Sequence, residues 1–246
     1  MAFLFEVTIF DEKSESMESL WRRLKYYGIG FGIGLVFVIF FFQNRGCSWL
    51  PSNRVKNSIL DRLVVASDET LEILKKKNIS QKDILTALND GDVVFGESKK
   101  KGDVKVYVVE KDDQKFLFAL PEESILSEVF IGGNANKRKV SKTGRGKILR
   151  FPMDDELMYL DTTKLMTCQK LDLGIKDSKQ LLKIFKANGR VDFEQSNLKM
   201  KPKPIQYFTF KHMNKEIGME VIWYKNKLNI SSFDYPNSLN CGNTND

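Results

Sequence analysis

The sequence predicts an α+β protein: an apolar N-terminal helix, then two tandem copies of a unit with two helices and about four antiparallel strands. Three observations carry this expectation. Residues 89–98 read Asn-Asp-Gly-Asp-Val-Val-Phe-Gly-Glu-Ser, and residues 187–196 read Ala-Asn-Gly-Arg-Val-Asp-Phe-Glu-Gln-Ser. Each echo follows helix-like periodicity and precedes strand-like alternation, and a repeat of about 100 residues has the size of a tandem domain rather than of a solenoid unit. Finally, residues 26–42 carry no charge.

Residues 1–25 form an N-terminal tail, acidic and irregular at first, which makes Met17 an alternative start. Residues 26–42 then meet the lower length limit of a membrane span, about 17 residues, with Trp21, Tyr26 and Tyr27 as interfacial anchors. A buried core helix and a cleaved signal peptide are the competing readings. The exit Gln43-Asn44-Arg45-Gly46-Cys47 lacks the small residues of a cleavage site, so the expectation is an uncleaved single-pass transmembrane helix. Gly28 with Gly32, and Gly30 with Gly34, have the small-xxx-small spacing that lets two helices approach. They are candidate helix-packing residues for a homodimer, against a flexible span with no partner. Arg22, Arg23 and Lys25 outnumber Arg45 at the membrane edges, and Arg54, Lys56 and Arg62 blunt the bias. The balance leans toward a cytoplasmic N-terminus.

After a juxtamembrane segment, 43–61, comes copy one, 62–133. It has amphipathic stretches from Glu69 to Lys77 and from Ile79 to Leu85; copy two, 151–236, has them from Thr163 to Leu171 and from Ile175 to Leu182. Ser80 and Asp177 are expected N-caps. Gly91 and Gly189 are expected to end the helices with φ > 0. Expected strands are Val104–Val109, Phe116–Leu120 and Ile125–Phe130, and then Ile205–Lys211, Gly218–Tyr224 and Leu228–Phe233, rich in β-branched and aromatic residues. Asp112-Asp113 and Lys225-Asn226 read as hairpin turns. Phe95 and Phe193 are expected to be equivalent core anchors. Aligning Tyr107 with Tyr207 puts His212 opposite Asp112, in a turn. Residues 237–246 read as a flexible tail.

The net charge of +7 describes a basic body that attracts anions. The segment between the copies, 134–150, concentrates Lys137, Arg138, Lys139, Lys142, Arg145, Lys147 and Arg150. It reads either as a solvated linker or as a site for anionic headgroups or nucleic-acid phosphates. Lys99, Lys100, Lys101 and Lys105 follow one echo, and Lys199, Lys201 and Lys203 the other. Lys105 and Lys203 are the candidate anion-binding pair, with Pro202 and Pro204 stiffening the second loop.

Cys47, Cys168 and Cys241 are odd in number and widely spaced, which excludes the usual zinc patterns. Cys168 is expected to be a small core residue. The single histidine, His212, has no partner set for a triad, and no carboxylate pair stands out. The sequence therefore names no catalytic residue, no metal and no cofactor.

The run from Ile79 to Val93, followed by a basic loop and Val106-Tyr107-Val108-Val109, resembles a bacterial domain of unknown function with the RelE-type toxin fold. Arg45-Gly46-Cys47-Ser48-Trp49-Leu50-Pro51 behind a short anchor is similar to membrane-anchored tandem members from Bacteroidetes-type bacteria. The resemblance implies two RelE-like modules behind a span of the bacterial inner membrane; the charge bias, not the resemblance, leans toward a periplasmic C-terminal body, with the opposite orientation left open. RelE-type toxins cut RNA, but their catalytic set does not map onto this chain, and the enzyme question leans negative. The leading functional expectation is a non-enzymatic binding or assembly module of an envelope complex. Its partners would be the bilayer, a protein, and an anionic lipid or RNA. The alternative is a membrane-tethered RNA-binding protein or ribonuclease of the RelE-like class.

Overall fold

In the computed structural model the backbone is described for residues 5–43, 50–236 and 241, and it falls into two units, Met1–Pro51 and Ser52–Asp246. In the first unit the described residues from Phe5 to Gln43 form one continuous helix, α1 (Phe5–Gln43). Its side chains from Ser19 to Ile39 are all exposed, and a β-carbon added at Gly28, Gly30, Gly32 or Gly34 would meet nothing within 4 Å. Among the described residues no helix is long and apolar enough to cross a membrane; of the expected transmembrane helix, 26–42, the structure shows part of a long helix with an exposed apolar stretch. The side chains of residues 40–42, and Arg45 and Cys47 entirely, lie outside the described residues.

The second unit contains α2 (Pro51–Leu60), β1 (Leu63–Ser67), α3 (Asp68–Lys76), α4 (Gln81–Asp90), β2 (Asp92–Val93), β3 (Val104–Lys111), β4 (Gln114–Pro121) and β5 (Leu126–Ile131). It continues with β6 (Arg145–Arg150), β7 (Met158–Leu160), α5 (Lys164–Asp172), α6 (Ser178–Asn188), β8 (Arg190–Asn197), β9 (Ile205–His212), β10 (Lys215–Tyr224) and β11 (Lys227–Asp234). The α+β class is as expected. All eleven strands belong to one sheet, ordered β2-β3-β4-β5-β1-β6-β8-β9-β10-β11-β7. The architecture does not show two separate RelE-like modules.

The duplication is visible in this order. Copy one runs β1-α3-α4-β2-β3-β4-β5, with β1 parallel to β5. Copy two runs β7-α5-α6-β8-β9-β10-β11, with β7 parallel to β11. Each copy therefore opens with a strand that the sequence reading missed. Leu63 to Ser67 is buried throughout, so it lacks the in–out alternation of a half-exposed strand, and β7 is three residues long.

β6 joins the halves by pairing antiparallel to both β1 and β8. Tracing strand directions across the sheet makes β8 run opposite to β2, its counterpart. The second half is thus turned over relative to the first, and its helices lie on the opposite face. The core shows the same thing. Leu74, Ile84 and Leu88 pack with Val109, Phe116 and Phe118 on one face. Leu181, Leu182 and Phe185 pack with Phe208, Phe210 and Met219 on the other.

Local chemistry repeats between copies. Ser80 caps α4 by accepting from the Asp83 N–H, and Asp177 caps α6 by accepting from the Gln180 N–H. Ser67 and Thr163 do the same for α3 and α5. Gly91 and Gly189 do follow the helices, but their φ values are −75° and −66°, so left-handed backbone is not what requires glycine. Close approach is: a β-carbon would lie 2.5 Å from the Ala87 carbonyl oxygen at position 91, and 2.5 Å from that of Phe185 at position 189. The hairpin turns Asp112-Asp113 and Lys225-Asn226 have positive φ at both residues, as does Met213-Asn214, the pattern that matches strand twist in two-residue hairpins.

The serine ending each echo is a structural staple. The Ser98 hydroxyl donates to the Val94 carbonyl and accepts from the Val108 N–H; Ser196 donates to the Asp192 carbonyl and accepts from the Tyr207 N–H. Tyr207 therefore corresponds to Val108, not to Tyr107. A one-residue slip reverses which face a strand residue takes, so the expected alignment of the two tyrosines is corrected. Beyond the staple β9 runs two residues further than β3 before its turn, and His212 ends β9 rather than sitting in the turn.

Candidate anion-binding surface

The last third of the expected basic linker, 134–150, is a strand of the sheet. Residues 145–150 form β6, with Ile148 and Leu149 buried in the two cores. Arg145 pairs with Glu216 and lies 3.6 Å from Asp192. Arg150 donates to the Leu60 carbonyl, and burial lowers its pKa. Arg138 lies 4.7 Å above the Phe130 ring and donates to the Gly132 carbonyl. Lys203 pairs with Glu123 of copy one and sits 5.7 Å from the Tyr224 ring. These four cations hold the halves and the intervening segment in place. Lys105, Lys137, Lys139, Lys142 and Lys147 are exposed. The bridge of Lys99 with Val106 and the pairing of Asn197 with Ile205 show that Lys105 and Lys203 are not equivalent positions, so the structure does not bring them together as a repeated ligand edge.

A groove that the sequence reading missed lies along α6. Leu181, Leu182 and Phe185 face inward, which turns Lys179, Lys183 and Lys186 outward at helical spacing. These three lysines, with Asp155 and Leu182, line a cavity of about 350 Å³. The helix is fixed at its start by the Asp177 cap and by the Lys176 N–H, which donates to Gln180 Oε1 at 2.7 Å. The signal in the sequence was the Lys-x-x-x-Lys-x-x-Lys spacing of 179–186. In α4 of copy one the corresponding positions, counted from the N-caps, are Lys82, Thr86 and Asn89. The lysine line is thus a property of copy two. The three lysine charges suit an anionic group, with Leu182 as the apolar part of the lining, while the Asp155 carboxylate opposes an anion on its own side.

His212 is elsewhere: its Nε2 lies 2.9 Å from the Leu173 carbonyl oxygen at the end of α5, a hydrogen bond that ties β9 to that helix. Among the described residues no group of three His, Cys, Asp or Glu is placed to hold a metal. Cys168 is not a lone core thiol. It forms a disulfide with Cys241, a pairing that the odd count and wide spacing of the cysteines leave open. The adjacent Gln169 clamps β11 through both amide atoms, donating to the Phe233 carbonyl at 2.7 Å and accepting from its N–H at 2.9 Å.

One further carboxylate is chemically unusual. Glu128 on β5 is fully buried. It accepts from the Ser141 N–H at 2.7 Å and from the Ser141 hydroxyl at 2.5 Å. Burial pushes its pKa up to about 7, while those two hydrogen bonds and the charge of Arg138 pull the other way.

Compared with protein families, with curated proteins and with solved structures, the chain matches none. The functional reading therefore rests on the geometry above.

Proposed function

We propose that the protein is a membrane-attached, non-enzymatic binding module whose body offers the lysine groove of α6 to an anionic partner in an envelope assembly. The groove carries this reading: three lysines and one leucine line it, with one carboxylate, Asp155. Attachment is supported by the exposed apolar side chains of α1, among them Tyr26, Tyr27 and Phe31, each more than seventy per cent exposed. A contiguous apolar surface of this kind is normally covered by lipid or protein. With the phenylalanines at 40–42 included, the uncharged run reaches about 26 Å, close to the lower limit for a span. The Cys168–Cys241 disulfide supports an oxidising compartment for the body, in line with the charge bias around residues 22–45.

Two experiments test this. Alkaline extraction of membranes should leave the full-length chain in the pellet; release into the supernatant would remove the membrane from the reading. Purified full-length protein in detergent should bind a fluorescent polyphosphate in a salt-dependent way, and Lys179→Glu with Lys183→Glu and Lys186→Glu should weaken binding at least tenfold. Unchanged binding would sink the groove. Cleavage of single-stranded RNA by the same preparation would move the reading to the ribonuclease alternative.

A further inference from the structure

The segment between β5 and β6 has the construction of a flap. Gly132, Gly133 and Gly144 bound it with φ of 66°, 93° and 75°, values that glycine adopts without strain. Between these ends, Ala135 and Val140 are buried in the core. Arg138 folds back, with its side chain over Phe130 and donating to the Gly132 carbonyl. Ser141 supplies both hydrogen bonds received by Glu128. Closing the segment therefore places a carboxylate in an apolar core with one serine as its hydrogen-bonding partner.

We propose that residues 132–144 are a proton-linked flap, latched by Glu128, that closes as Glu128 takes up a proton and loosens as it ionises. The flap carries Lys137, Lys139 and Lys142, so its opening changes how this basic surface is presented. The direction follows from burial. In the closed state the carboxyl is dry, which favours its neutral form; with the flap open it meets water, which favours the charged form. The closed state thus binds the proton more tightly, and acid favours closure. The neighbouring elements agree. β1 and β4 place Val65 and Ala119 beside Glu128 in the sheet, and neither carries charge. Arg138 within the flap stabilises the ionised form, and Glu69 at the start of α3 opposes it. Their opposite signs leave burial as the largest influence on the carboxyl.

Amide hydrogen exchange of the full-length chain in detergent tests the proposal, with rates corrected for intrinsic pH dependence. Opening of residues 132–144 should fall about twentyfold from pH 7.5 to pH 5.5, by linkage between an open-state value near 4.5 and a closed-state value near 7. Glu128→Gln should abolish this dependence and keep the flap protected at both pH values. Ser141→Ala, which removes a hydroxyl donor to the carboxylate, should move the midpoint upward. Flap protection that does not change with pH in the parent protein would overturn the proposal. So would an unchanged pH dependence in Glu128→Gln; if that variant does not fold, an unmoved midpoint in Ser141→Ala is decisive.

Discussion

Gly146 on β6 lies so close to Phe193 on β8 that a β-carbon at position 146 would sit 2.7 Å from the aromatic ring, and 2.9 Å from Val191. This contact is at the seam between the two halves, where β6 pairs with β8 through Gly146 and Val191. Phe193 is 2 % exposed, so its ring has little room to withdraw. Gly146→Ala should destabilise the protein by about 1–3 kcal/mol, the usual cost of overpacking. Urea unfolding of the variant checks this; an unchanged midpoint would mean that the seam is looser than the geometry describes.

The two echo phenylalanines differ in burial. Phe193 belongs to the main core, whereas Phe95 is half-buried at the edge of the other, with Lys100 5.5 Å from its ring. Phe193→Ala should cost about 3–5 kcal/mol. Phe95→Ala should cost about half as much, because less apolar area leaves water on folding. Equal losses in thermal or chemical unfolding would restore the equivalence expected from the sequence.

The staple serines are a better test of the repeat. Ser98→Ala and Ser196→Ala each leave a strand N–H, of Val108 or of Tyr207, without its acceptor. Both variants should lose about 1–3 kcal/mol, and by similar amounts. Exchange of those two amides should also accelerate, each only in its own variant. If both amides speed up in both variants, the effect is global rather than a local lost acceptor.

Glu128 sets a pH dependence of overall stability. Its folded pKa of about 7 lies above its ordinary value of 4.5. The carboxyl therefore contributes its full stability below about pH 4.5, and this is lost as pH rises to about 7. The difference corresponds to about 3 kcal/mol by linkage. Glu128→Gln should flatten that slope, giving a variant more stable than the parent at pH 7.5 and close to it at pH 5. Urea midpoints at both pH values decide the matter.

Much of the architecture was determined by local sequence. Caps such as Ser80 and Asp177, the two-residue turns and the β-branched runs act over a few residues, and their spacing is written in the chain. The duplication was legible too, because Ser98 and Ser196 recur at the end of matching echoes. Only the tertiary structure decided that the copies share one sheet. Residues 145–150 look like a charged linker because Arg145, Lys147 and Arg150 dominate their composition; pairing on both sides and burial of Ile148 and Leu149 make them a central strand. Register was also a tertiary matter, since the Ser196 staple fixes Tyr207 against Val108, where matching tyrosines had set it one residue away. The same holds for the groove and the flap. Lys179, Lys183 and Lys186 were visible as a spacing, but the opposing Asp155 comes from another segment. Glu128 became unusual only when residues 132–144 covered it. Desolvation depends on what packs around a group in space, and neighbours in sequence do not specify that.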